Sequence, residues 1–246
     1  MQQTAQRVTV ESGSKFIGKT FLYMFMALAI TVVVAVGVGL LFNSLLFAKF
    51  NYETGTLDGE FILLYFGLLI VSLLGLLGVG IWFNIAAVRG RSNLWPPFII
   101  YAVLMGTLGS FFVLFIDIWT LGIALGITTI TFGGMAAIGL LSKRDLSFLS
   151  IVAMGLGIGI LVLALSNLIF FFIAPTLWTW NYVLIQGLVL LLVMIITIID
   201  TWRIKKIAET GEANENLALF CAFNLYIDFI QLLIRVIYIV LIARRR

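Results

Sequence analysis

Residues 217–242 make an apolar run of about the length that crosses a bilayer as one helix, yet the run carries Asn224, Asp228, Gln231 and Arg235. Their successive spacings of 4, 3 and 4 put all four, with Cys221 one step earlier, on a single helical stripe. A charged residue at the centre of a membrane helix costs roughly 2.5 to 3.5 kcal/mol on an insertion scale, so a stripe holding two of them should face protein or water rather than lipid. The hydrophobic segment just before it ends in Ile198, Ile199 and Asp200, which supplies a second intramembrane carboxylate. The expected architecture is an all-α polytopic membrane protein, a bundle packed around its last helix with Asp200 and Asp228 at its chemical centre.

Composition agrees with that class. Of 246 residues, 63% are hydrophobic and 11% charged, and the mean hydropathy is +1.19, far more apolar surface than one soluble core of this size hides. The 23 glycines suit close helix contacts in lipid. Histidine is absent and Cys221 is the single cysteine, which excludes Ser-His and Cys-His catalysis, histidine-based metal sites and disulfides within the chain. No P-loop, dinucleotide fingerprint, EF-hand loop or CxxC is present, and no cofactor is expected. The pI near 9.3 does not call for a nucleic-acid partner, because the basic residues are scattered between apolar segments.

Seven spans are predicted, at residues 21–46, 61–83, 98–116, 121–141, 148–174, 183–199 and 217–242, all in one integral membrane domain with no soluble module. Residues 1–19 are polar, and the apolar run that follows is too long for the core of a cleaved signal peptide. Residues 117–120 read as a tight connection, 175–181 as an interfacial aromatic belt, and 201–216 as the most hydrophilic loop. Thr128, Thr129 and Thr131 read as backbone-bonded packing residues rather than ligands. Ten basic residues, Arg7, Lys15, Lys19, Arg89, Arg91, Lys143, Arg144, Arg203, Lys205 and Lys206, fall on the side of the amino terminus, which the positive-inside rule assigns to the cytoplasm. The terminal triplet Arg244 to Arg246 breaks the rule if the last helix spans fully, so that helix either is re-entrant or incompletely spanning, or is oriented by burial of its polar stripe.

Asp200 and Asp228 are each 14 residues from Asn214 in the connecting loop. Antiparallel neighbours joined there bring the two acids to similar depth, with helix axes about 8 to 10 Å apart. Like charges in a low-dielectric site cannot both ionise cheaply, so such a pair shares a proton and makes a pH switch. The plainer alternative has Asp200 marking a helix end and Asp228 pairing with Arg235 on its own helix.

Ser142-Lys143-Arg144-Asp145-Leu146-Ser147-Phe148 resembles the K-[KR]-D-L-[ST] segment of Bax inhibitor family membrane proteins, and residues 224–232, Asn-Leu-Tyr-Ile-Asp-Phe-Ile-Gln-Leu, resemble that family's carboxy-terminal signature L-Y-L-D-F-I-N-L. Asp200-Thr201 is similar to the family's Asp at the end of span six. The resemblance implies a bacterial-type member with a pH-sensitive calcium leak, in which calcium is the permeant ion and a di-aspartyl latch closes the pore when the shared hydrogen bond forms. It further implies an arginine at the end of span two, a place that Arg91 or Arg89 fills here. Asn224, Gln231 and Arg235 are the other latch or pore-lining candidates.

Three features depart from the family pattern: Gln231 replaces the usual Asn, Arg235 sits closer to the aspartate than the usual arginine, and the loop with Glu209, Glu212, Asn214 and Glu215 is longer than in compact bacterial members. Two aspartates near an arginine are a weak calcium site, which suits a leak better than a buffer. The expected partners are the lipid bilayer, calcium and protons, in a bacterial inner membrane. The alternative is a non-channel regulator that binds a membrane protease or cell-death partner. An intramembrane aspartyl protease needs Gly-x-Gly-Asp where this chain has Leu225-Tyr226-Ile227-Asp228, so no enzyme is expected, and a proton-coupled transporter lacks its inverted repeat.

Overall fold

The computed structural model describes residues 2–51, 56–57, 59–90, 93–173, 175–210 and 214–244. Seven long helices carry almost all of them: α1 (Gln2–Lys49), α2 (Gly59–Arg89), α3 (Trp95–Phe115), α4 (Ile118–Leu141), α5 (Ser147–Ile173), α6 (Pro175–Thr210) and α7 (Glu215–Arg244). All seven are long and apolar enough to cross a membrane. Between α1 and α2, β1 (Phe50–Asn51) and β2 (Thr56–Leu57) form a two-residue antiparallel ladder with Phe50 opposite Leu57. The most apolar 18-residue stretch of α7 is 44% buried, the largest share of any span, whereas that of α5 is 0% buried.

Helix ends follow ordinary capping chemistry. Asp117 caps α4, its carboxylate accepting from the Thr120 N–H at 2.9 Å and the Thr120 hydroxyl at 2.6 Å, so the α3–α4 connection is shorter than expected. Asn214 caps α7, accepting from the Leu217 N–H at 2.8 Å. Pro96 and Pro97 occupy the first turn of α3, where a missing N–H costs nothing. Asp145 accepts from the Ser147 N–H at 2.8 Å at the start of α5, and its bonds from Ser147, with a smaller contribution from Lys206, hold this exposed carboxyl below the usual carboxylate range.

Two segments outside the predicted spans are helical. The polar residues 2–20 form the first turns of α1, and residues 201–210 are not loop but the last turns of α6. The second has a visible cause: Thr197, Thr201, Ile204 and Ala208 are buried at spacings of 4, 3 and 4, while Arg203, Lys206 and Glu209 are exposed. That is a helical stripe with its charges on the outer face, and counting charges alone hides it. Likewise α6 begins at Pro175, so the aromatic segment belongs to a helix, with Trp178 and Trp180 exposed on it.

The chain divides into two compact units: residues 1–17, 123–212 and 227–246 in the first, and residues 18–122 and 213–226 in the second. Within the first, α4 lies so close to α6 that a Cβ at Gly139 would stand 2.6 Å from the Ile198 carbonyl oxygen and overlap Thr201. Within the second, Phe83, Phe98, Tyr101 and Phe223 form an aromatic core, Phe83 stacking on Phe223 at 4.0 Å between centroids. The unbroken 30 residues of α7 contribute to both units. At 1.5 Å per residue the helix is about 45 Å long, enough to cross a hydrocarbon core of about 30 Å, so no break of a re-entrant kind interrupts it.

Candidate functional site

In the first unit α6 and α7 run side by side, and three contacts fix their register. Tyr182 meets Tyr238 with centroids 6.0 Å apart, the Arg235 Nη1 donates to the Gln186 Oε1, and Thr197 is the polar side chain that interacts with Asp228. This is an antiparallel pairing slightly offset from one centred on Asn214. The offset puts Asp228 level with Thr197 and leaves Asp200 about one turn nearer the end of α6.

Asp200 nevertheless lies near enough for its charge to be felt at Asp228. Asp228 is 6% exposed, and the side chain of Asp200 is 14% exposed. Thr197 is fully buried and its hydroxyl donates to the Val193 carbonyl at 2.9 Å, so its lone pairs remain able to accept. Phe132 on α4 packs against Phe229, at 5.4 Å between centroids, on the residue next to Asp228. Water is scarce there.

Their remaining partners differ. Asp200 Oδ1 is 3.5 Å from Arg203 Nη1, whose other terminal nitrogen donates to the Ser150 hydroxyl at 3.3 Å on α5. Arg203 is 58% exposed, so this ion pair is wet and modest. Among the described residues Asp228 Oδ2 is buried with no hydrogen-bond partner, and so is Arg235 Nε. Leaving a buried polar atom unmatched costs about 1 to 3 kcal/mol, and more when it is charged. Among the described residues no ion pair joins Asp228 to Arg235; seven residues separate them, about 10 Å along the helix, and Arg235 turns instead to Gln186.

The other expected residues are placed as follows. Asn224 is half-buried on the part of α7 that belongs to the second unit. Gln231 is exposed: at about 100° per residue it sits some 60° around the helix from Asp228, at the edge of the stripe, so the stripe does not turn inward as a whole. Arg89 is exposed at the last position of α2, and Arg91 lies outside the described residues. Asp200 does not mark a helix end, since α6 continues for ten more residues. Thr197 and Gln186 were not anticipated, although Gln186 is a lone amide inside an apolar span, a signal that an intramembrane polar group must find a partner.

Two carboxylates and a hydroxyl are too few oxygens to hold calcium firmly, since that ion takes six to eight. Among the described residues no group of three or more His, Cys, Asp or Glu side chains could hold a metal ion. What the arrangement does bring together is two acids on neighbouring helices, one of them almost fully buried, with a threonine hydroxyl beside it. A family model described as "Inhibitor of apoptosis-promoting Bax1" matches residues 13–246. No curated protein and no solved structure matches the chain.

Proposed function

This chain belongs to the Bax inhibitor family of integral membrane proteins, and from that premise we propose that it is a pH-sensitive calcium leak channel gated by Asp200 and Asp228. The observation that carries the reading is the buried Asp228 carboxyl, one oxygen unpartnered, beside a second acid on the neighbouring helix.

When the pair holds one proton, the protonated acid donates to the other carboxylate, and α6 and α7 stay together. When the proton leaves, two negative charges face each other at low dielectric and repel, which loosens the pair and admits a cation. The sign follows: calcium leak falls as the pH falls through the range in which the pair takes up its proton. Calcium passes as the transported ion and is not stored. No catalytic step is assigned to either acid. The membrane proposed is a bacterial inner membrane, with the amino terminus in the cytoplasm.

Purified protein in liposomes loaded with a calcium dye tests this. Flux should rise between roughly pH 6 and pH 8, and replacement of either acid by Asn should remove that dependence. Absence of flux at every pH, with capture of a membrane protease, would replace the channel by a regulator. Peptide cleavage lost in Asp228→Ala would replace it by an enzyme.

A further inference from the structure

The first unit holds a second feature that the gate does not use. A cavity of about 230 Å³ opens where α4 and α6 end, lined by Ser142, Lys143, Arg144, Trp202, Lys205 and Lys206, with Glu209 at its side. We infer that this cavity binds the phosphate headgroup of an anionic membrane lipid.

Charge is the first argument. Four cations and one carboxylate surround the cavity. Lys205 Nζ donates to the Ser142 carbonyl at 2.8 Å, which fixes the ammonium in place but leaves its charge uncompensated. Lys206 Nζ stands 3.7 Å from Glu209 Oε2, but both side chains are more than half exposed, so that pair gives up little when an anion competes. Asp145, which also feels Lys206, is already engaged by Ser147. Lys143 and Arg144 are exposed and complete the basic rim.

Position is the second. A positive-inside bias alone would scatter basic residues along loops, whereas these converge on a concavity. Trp202 lines the cavity with Lys206 5.8 Å above its ring, an amphipathic aromatic of the kind that sits at headgroup level. Just before it on α6 the helix is apolar and membrane-length. A basic pocket between helix ends on the expected cytoplasmic side is the chemistry that selects anionic lipids. Arg203 belongs to a different contact, with Asp200 and Ser150, so the lipid site and the gate are separate.

Native mass spectrometry of the full chain, delipidated in detergent and offered phosphatidylglycerol, phosphatidylcholine or inorganic phosphate, tests the assignment. Phosphatidylglycerol should be retained over phosphatidylcholine, and the double substitution Lys143→Gln, Arg144→Gln should weaken retention roughly 10- to 30-fold, the loss that two basic residues at a membrane surface carry. The swap Lys143→Arg, Arg144→Lys should keep it, as should removal of two charges elsewhere by Lys15→Gln, Lys19→Gln. Circular dichroism keeps a folding defect apart from a binding defect. Equal retention of both lipids, equal losses in the pocket and control pairs, or competition by inorganic phosphate without lipid retention would each overturn the assignment.

Discussion

The two halves of α7 bury polar groups in opposite ways. In the amino half, the Tyr226 hydroxyl is paired with Thr31 Oγ1 at 2.7 Å, and Thr31 in turn reaches the Ala27 and Ala102 carbonyls. In the carboxyl half, Asp228 and Arg235 each keep one buried atom without a partner among the described residues. Tyr226 and Asp228 are two residues apart on one helix and almost equally buried. Burial therefore does not distinguish these two positions; satisfaction of their polar atoms does. A matched hydroxyl fixes the packing, whereas an unmatched carboxyl oxygen carries a cost that a proton, a water or another arrangement of its neighbours would relieve.

The strongest way to break this contrast is Asp228→Asn. The ratio of calcium flux at high pH to that at low pH should fall from at least about fivefold, the low end of ordinary coupling between two sites, to about one. A retained ratio would remove the carboxyl half's claim to function. Next comes Gln186→Leu, which strips the guanidinium of Arg235 of its described acceptor. Hydrogen bonds to charged groups contribute roughly 1.5 to 3 kcal/mol, so melting in detergent should drop by a corresponding amount while the pH ratio persists. Smaller still is Tyr226→Phe, about 1 kcal/mol for one neutral hydrogen bond, with flux and its pH dependence unchanged. A Tyr226→Phe protein that lost pH sensitivity would erase the distinction between the halves.

The weakest effect lies outside the membrane, at Asp145. Its carboxyl is held low in the folded chain, so its contribution is present above the ordinary carboxylate range and is lost as the pH falls through the folded value. Asp145→Asn should flatten a slight loss of thermal stability on acidification, measured well below the pH at which the flux changes.

Much of this was legible in the residues. Seven apolar runs of bilayer length announce seven helices, and Asp228 inside the last run announces a buried acid, because lipid leaves such a group few other places. Thr128 and Thr129 bond back to the Ala124 and Leu125 carbonyls, as residues of that kind in an apolar helix must. What charge counting concealed were the helix extensions: Arg203, Lys205 and Lys206 read as loop until the buried stripe of Thr197, Thr201, Ile204 and Ala208 is seen beneath them. Register was the other blind spot. A loop midpoint places Asp200 opposite Asp228, but the Tyr182 and Gln186 contacts shift the pairing toward Thr197.

Infrared difference spectroscopy of the carboxyl stretch, recorded as reconstituted protein is taken from low to high pH, reaches the central claim without relying on transport. One protonated carboxyl per molecule should disappear across the range in which flux changes, and either Asp200→Asn or Asp228→Asn should abolish that transition. A signal lost in only one of the two variants, or two carboxyls titrating independently, would mean that the acids on α6 and α7 do not hold a proton in common.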